Sequence, residues 1–224
     1  MSIHYLIFSD LHLTDHFELA KFQFLNELIS SADHVIINGD FWDSYFTSFE
    51  KFLNSPWQDL FPLLKAKQAI YLYGNHDRAV DSDERVNLFS STQAIRHDLQ
   101  LANYKFRIEH GNKLRPAFSE RYPWLRRNPW LLRFLVRGED VFEWLMLNIF
   151  DNHSYTQSEN KIIKQQLPAI LGENEMLITG HTHCPEINLK EGYINTGEIK
   201  LGHASYISID KVGNPELVFA RYQL

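Results

Sequence analysis

Cys184 is the only cysteine in this chain of 224 residues. An intrachain disulfide is therefore excluded, and the expected compartment is the reducing cytoplasm. The thiol itself is read as small and partly buried, not as a metal ligand. Long hydrophobic runs are missing as well: none approaches the roughly 20 apolar residues that cross a bilayer. The first apolar run, Ile3–Phe8, follows no basic leader and ends at once in Ser9-Asp10-Leu11-His12, so no secretory signal is expected. Fixed-period repeats and low-complexity tracts do not occur, which removes solenoids and disordered tails. Positive charge is short overall, with a net of −6, and this argues against a general nucleic-acid coat.

What remains is ordinary globular material, 44% hydrophobic and 22% charged, enough for one core or one core with an appended part. The charge is uneven. Between Lys113 and Arg137, seven basic residues face the lone acid Glu120, a local +6 that leaves −12 for the rest. Such a block suggests an anionic partner at that place.

The apolar pattern alternates between strand and helix. Strand-like runs cover 3–8, 35–37, 70–73, 105–108 and 176–178, with a further candidate at 93–97. Residues 17–29 carry apolar side chains at helical spacing between the first two strands, giving a βαβ start and a right-handed parallel crossover. Residues 46–67 read as a second helical crossover interrupted at Pro56 and Pro62, and 84–89 as a short helix. After His110 the chain turns helical over 117–150 and again over 155–171. It ends in short β-type runs at 193–195, 205–209 and 217–220. The expected organisation is an α/β core of residues 1–112 plus 174–224 with a helical cap insertion at 113–173.

Five short islands just past strand ends carry the chemistry: Asp10-Leu11-His12, Gly39-Asp40-Phe41-Trp42-Asp43, Gly74-Asn75-His76-Asp77, His110-Gly111-Asn112 and Gly180-His181-Thr182-His183. Alone, each has a commonplace reading as a turn or a solvated pair. Together, ligands beyond several strand ends converge at one sheet edge, where open α/β proteins put their sites. A mixture of Asp, His and Asn without thiolates suits two divalent ions, manganese first, with iron or zinc as alternatives. In Asp10-x-His12 the spacing aims both side chains at one ion. Gly39 lets the backbone turn so that Asp40 reaches two ions at once, and a paired centre of that kind activates water and clamps a phosphoryl group. His76 can lie over the substrate without being consumed as a ligand, with Asp77 placed to orient it.

The order of these motifs resembles the calcineurin-like metallophosphoesterases. The resemblance implies a four-layer αββα sandwich. It also implies one ion on Asp10, His12 and His183, a second on Asn75, His110 and His181, Asp40 bridging, and His76 at the transition state. Asp43 closes its motif and is expected beside the ligands. Within that superfamily, Ser9 to Leu13, the His110-Gly111 pair before a helical insertion, and Gly180 to Pro185 followed by Ile194-Asn195-Thr196-Gly197 are similar to bacterial UDP-2,3-diacylglucosamine pyrophosphatases. Two positions depart from that subgroup, which usually carries Arg at His76 and Asp at Asn112.

The insertion mixes Arg and Trp with Leu over 121–136, the composition of a helix lying on anionic lipid. Residues 141–150 are apolar on most sides, as in a helix buried between others. Packing within the cap is the competing reading of both. Lys161 and Lys164, near Ser158, are candidates to face a phosphate, or else a wet helix face. The expected substrate is a phosphate-containing small molecule or lipid, with peripheral contact at the inner membrane face through the cap. A soluble nucleotide phosphodiesterase or phosphatase is the alternative, favoured by His76. No nucleic acid is expected. A scaffold that lost its chemistry would show broken ligands, and none is broken.

Overall fold

The computed structural model describes residues 3–102, 104–150, 152 and 156–223. From β1 (Ile3–Phe8) the chain passes through α1 (Leu19–Ser30) to β2 (Ala32–Asn38), then through α2 (Phe49–Leu53) and α3 (Phe61–Ala66) to β3 (Ile70–Leu72) and β4 (Thr92–Ala94). The crossover expected at 46–67 is broken where expected. Pro56 opens a 3₁₀ turn, Pro56–Leu60, between the two helices, because proline cannot supply the amide a continuous helix needs. The short helix expected at 84–89 is also 3₁₀, Glu84–Leu88.

The strand expected at 93–97 proves to be two. β4 ends at Ala94 in the first sheet, and β5 (Arg96–Gln100) begins the second, so the chain changes sheets at Ile95. Next come β6 (Lys105–Glu109), α4 (Phe118–Arg121), α5 (Pro129–Asn148), α6 (Gln157–Lys164) and α7 (Leu167–Ile170). The helix expected over 155–171 breaks between α6 and α7, and its first residue, Tyr155, lies outside the described residues. β7 (Glu175–Thr179), β8 (Glu186–Asn188), β9 (Tyr193–Asn195), β10 (Ile199–Lys200), β11 (His203–Ile209) and β12 (Pro215–Arg221) complete the chain.

In the first sheet β1, β2, β3 and β4 run parallel, and β11 pairs antiparallel with β1 and β12. The second sheet has the order β5-β6-β7-β9-β8, with β6, β7 and β9 parallel. Strand alternation decides which side each residue serves. Leu6 and Phe8 pack under α1 to α3, whereas Ile7 between them faces the second sheet. Val35 and Ile37 repeat the pattern around Ile36. On the far sheet Ile178 points inward, while Leu177 and Tyr193 pack outward against Ile163 of α6 and Leu167 of α7. The result is the four-layer αββα sandwich.

Residues 113–173 do not all stand apart as a cap. α6 and α7 form the outer layer of the second sheet because Ile163 and Leu167 need its apolar face. α5 instead arches over the strand ends, its first half resting on Tyr45 and Phe46 through Leu132, Leu135 and Val136. Its opposite side leaves Trp130, Phe134 and Val141 exposed, at 79%, 66% and 61%. No helix among the described residues is long and apolar enough to cross a membrane.

Candidate metal centre

Five parallel strands, β1, β2 and β3 from one sheet and β6 and β7 from the other, end at the same edge. Each is followed within a few residues by a candidate ligand. Asp10, His12 and His183 form one trio and Asp40, His110 and His181 another, with ligand atoms in each trio within 4.8 Å of one another. Asn75 joins the second, its Oδ1 3.2 Å from His110 Nε2. The trios adjoin, since Asp10 Oδ1 lies 4.0 Å from His110 Nε2.

Neighbouring acceptors fix which ring nitrogen faces the site. His110 Nδ1 donates to the Asn38 carbonyl at 2.8 Å, which turns Nε2 toward Asp40 Oδ2 at 3.1 Å. His181 donates from Nε2 to the Arg115 carbonyl at 2.6 Å, leaving Nδ1 for the site. His183 donates from Nδ1 to Glu143 Oε1 at 2.6 Å, so its Nε2 faces Asp10 Oδ1 and His12 Nε2, both at 3.4 Å. Hydrogen-bonding one imidazole nitrogen to orient the other is how proteins prepare histidine ligands.

The backbone here is strained. Asp10, His12, Asp40, His181 and His183 all adopt positive φ, between 49° and 67°, a conformation that costs an L-residue roughly 1–2 kcal/mol. Hydrogen bonds between loops hold the first three, with Asp10 N–H donating to the Gly39 carbonyl and His12 N–H to the Asp40 carbonyl. Gly39, itself at φ 86°, lets the chain turn here, and a Cβ on it would strike the His110 ring. A Cβ on Gly180 would collide with Ser9 and Asp10.

One buried atom lacks a hydrogen-bond partner where the trios meet. Asp10 Oδ1 has no hydrogen bond of normal geometry, the nearest ring nitrogen being His183 Nε2 at 3.4 Å, although Oδ2 of the same carboxylate accepts from the His181 amide and from Ser9. A fully buried carboxylate oxygen without a donor is costly unless a cation fills the gap. That oxygen and the surrounding oxygen and imidazole donors fit divalent ions of the borderline class.

Electrostatics agree. Burial opposes ionisation of Asp10, but His110 and His183 outweigh it and hold the pKa at about 2. Burial likewise works against a charged His110, yet Asp40 and Asp10 raise it to about 10. Burial, and then His110, push His181 down to about 3. In the metal-free protein, protons on histidine thus stand where cations would neutralise the carboxylates.

His76 sits over the trios. Its Nδ1 is 3.1 Å from Asp43 Oδ1, and its ring centroid lies 4.1 Å from that of Tyr45 and 4.4 Å from that of His12. The carboxylate beside His76 is therefore Asp43, and the expectation for Asp77 needs correcting. Asp77 spends both oxygens on backbone, accepting from Gly74 N–H and Asp40 N–H on Oδ1 and from Phe41 N–H on Oδ2. It staples two ligand loops together.

Lys161 and Lys164 do not face the site either. Lys164 pairs with Glu186 at 2.6 Å and Glu191 at 3.1 Å. Both lysines line a separate depression with Gln157, Ser158 and Pro168, because the buried side of α6 docks on the second sheet.

Two cavities flank the centre, of about 260 and 330 Å³. Both are bordered by His76, Glu139, Glu143 and His183; Arg137 and Lys200 line the first, and Arg115, Phe118 and Phe142 the second. Sequence reasoning missed Glu139, Asp140 and Glu143 of α5. The available signal was Asp140 and Glu143 one helical turn apart inside an otherwise basic and apolar insertion. The basic block does reach the site, where Arg126 donates to the Asn75 carbonyl at 2.9 Å and lies over the Tyr45 ring.

No curated protein compared with this chain matches it in sequence. Among solved structures, it is similar to the phosphoesterase YfcE from E. coli, at 21% identity over 92% of this chain and 87% of that one, with a TM-score of 0.50. An archaeal phosphodiesterase aligns at 18% identity over 96% and 99% of the two chains, with a TM-score of 0.49. Vps29 from Entamoeba histolytica, solved with zinc, aligns at 14% identity over 97% and 98%, with a TM-score of 0.47. At such identities the YfcE likeness speaks for the sandwich alone. The sequence profile of calcineurin-like phosphoesterases matches residues 3–185, a span that takes in every one of the five ligand loops. The chain belongs to the calcineurin-like phosphoesterase family.

Proposed function

We propose that this protein is a dinuclear-metal-dependent hydrolase that cleaves a phosphodiester or pyrophosphate bond joining two sizeable groups. The observation that carries the reading is the pair of adjoining donor trios around the unpartnered Asp10 Oδ1. Asp10, His12 and His183 would hold one ion and Asn75, His110 and His181 the other, with Asp40 shared. Bound there, two divalent ions would make a water acidic enough to attack and would offset charge on the phosphoryl oxygens.

The chain's own groups supply the rest. His76, steadied by Asp43 and by the Tyr45 ring, would donate a proton to the departing oxygen. Arg126 keeps the Asn75 loop in place through its carbonyl. A cavity on each side of the centre suits a phosphorus carrying two substituents better than a monoester.

For the substrate, the reading is a lipid-linked nucleotide resembling UDP-2,3-diacylglucosamine, with α5 as a cap that also touches a lipid surface. Its support is the outward apolar face of α5, including Trp130 and Phe134. A second reading, a soluble nucleotide phosphodiesterase, is favoured by His76 and by the acids on α5. The test is hydrolysis of bis-p-nitrophenyl phosphate, p-nitrophenyl phosphate and UDP-diacylglucosamine by metal-stripped protein with and without Mn²⁺. Cleavage of a two-armed substrate that depends on Mn²⁺ is expected. Failure on all three with metal present would reject the hydrolase reading, and cleavage of the simple diester alone would favour the soluble one.

A further inference from the structure

Three of the ligand-candidate imidazoles have a clear orienting partner, and they are not oriented alike. His110 and His181 lean on backbone carbonyls, of Asn38 and Arg115. His183 leans on a side chain from α5, donating from Nδ1 to Glu143 Oε1 at 2.6 Å, with Glu198 Oε2 also 3.3 Å from that nitrogen. The other Glu143 oxygen accepts from Lys200 Nζ at 2.9 Å, and Lys200 also pairs with Asp140 one turn earlier on the helix. Glu143 is 7% exposed, so its charge is stabilised by these two partners and not by water.

The two halves of α5 are held differently. Leu132, Leu135 and Val136 anchor the first half in an apolar cluster with Tyr45 and Leu125. The second half buries Leu147 and adds polar attachments, among them Asp140 to Lys200, Glu143 to His183 and Lys200, and Asn148 to His203. One of these attachments ends on a metal-ligand candidate.

We infer that Glu143 is a positioning residue that couples closure of α5 to occupancy of the ion site formed by Asp10, His12 and His183. The inference rests on the metal reading above. A carboxylate accepting from Nδ1 fixes the tautomer and makes Nε2 a better ligand, an effect typically worth 10–100-fold in affinity. Linkage then requires the converse: an ion that binds more tightly with Glu143 in place must hold Glu143, and with it the second half of α5, in place. In the Asp40–His110–His181 site the orienting partners of both histidines are backbone carbonyls outside α5, so this site stays outside the coupling.

The test uses the full chain stripped of metal and titrated with Mn²⁺ by calorimetry, with amide hydrogen exchange of residues 139–148 measured in parallel. Glu143→Ala is expected to weaken one of two Mn²⁺ sites by 10–100-fold and leave the other within about twofold. Glu143→Gln, which keeps an acceptor oxygen but not the charge, is expected to fall between. In the unaltered protein, Mn²⁺ is expected to slow exchange along 139–148, and Glu143→Ala is expected to abolish that protection. Equal affinities in the alanine variant would overturn the coupling, as would exchange in the unaltered protein that ignores Mn²⁺, a result that needs no variant to fold. An unaltered protein that bound no Mn²⁺ would instead remove the metal reading beneath it.

Discussion

Asp40→Asn separates ligand chemistry from folding in a way that alanine cannot. Asp40 is 1% exposed, with φ of 51°, and asparagine tolerates that conformation as readily as aspartate. Its amide oxygen can still accept the His76 N–H that Asp40 Oδ1 accepts at 2.8 Å, a bond worth about 1 kcal/mol. The new amide N–H₂ would lie where Oδ2 now sits, 3.1 Å from His110 Nε2. There it would donate to the lone pair that an ion needs. The change gives up the attraction of Asp40 for the His110 proton, but it also lifts the cost of burying two charges, and above pH 8, where the His110 contribution is shrinking, the two effects offset each other. Metal-free Asp40→Asn should therefore melt within a few degrees of the parent, since about 1 kcal/mol corresponds to roughly 2–4 °C at this size. Turnover of bis-p-nitrophenyl phosphate in Mn²⁺ should fall by at least ~10³, about 4 kcal/mol of barrier. Elemental analysis should find bound Mn²⁺ reduced from two ions to one or none. Retention of two ions with turnover within tenfold of the parent would refute Asp40 as the shared ligand.

Two further outcomes follow from the same geometry. His76→Ala should lower turnover by ~10²–10⁴ on substrates with poorly departing alkoxides and by much less on p-nitrophenolate esters, because only the former need a proton; equal losses on both would remove the acid role. For stability in EDTA, His110 is raised to about 10 against burial, chiefly by Asp40 and Asp10. Its contribution is complete below about 6.5 and is lost as pH rises toward the folded value. Between pH 6.5 and 8 that amounts to about 2 kcal/mol, so the melting temperature should fall by roughly 4–8 °C. Mn²⁺ should recover more at pH 8 than at 6.5, because it competes with protons for the same nitrogens. A melting temperature in EDTA that stays flat or rises over that interval would contradict the electrostatic picture.

The sandwich and the ligand loops were legible because both depend on local pattern. Leu6, Ile7 and Phe8 alternate between two cores, and Asp10 follows within two residues, so strand and ligand announce each other. The sheet change at Ile95 was not legible: 93–97 reads as one strand, and only pairing with β3 on one side and β6 on the other divides it. Asp77 was misjudged because adjacency to His76 says nothing of direction, and its carboxylate turns back to three amides. Which of the two readings of Lys161 and Lys164 to prefer was not legible, because the layer that α6 joins is decided by Ile163 packing on the second sheet. The spacing of Asp140 and Glu143 marked a pair of acids on one helix face, but not their target, since His183 lies 40 residues away from Glu143 on β7's loop.

The acids on α5 also bear on which bond is cut. The smaller cavity is lined by the carboxylates of Asp43, Glu139, Asp140 and Glu143 against the cations Arg137 and Lys200. The larger has Asp40, Glu139, Glu143 and Glu159 against Arg115. Beyond the ions and their ligand Asp40, the walls still carry more carboxylates than cations, so an arm with its own phosphate would meet net negative charge on either side, whereas an uncharged arm would not feel it. On this count alone the walls support the second, diesterase reading, and Glu139, which borders both cavities, is the residue that weighs it against the first. A unit charge at about 8 Å, with an effective dielectric of about 40, contributes about 1 kcal/mol, or roughly fivefold in rate. Glu139→Gln should therefore raise kcat/KM for UDP-diacylglucosamine relative to bis-p-nitrophenyl phosphate by roughly fivefold, an effect that shrinks as salt screens it. A ratio unmoved at low salt would mean that these carboxylates do not select the substrate, and would leave the lipid-linked pyrophosphate as the first reading.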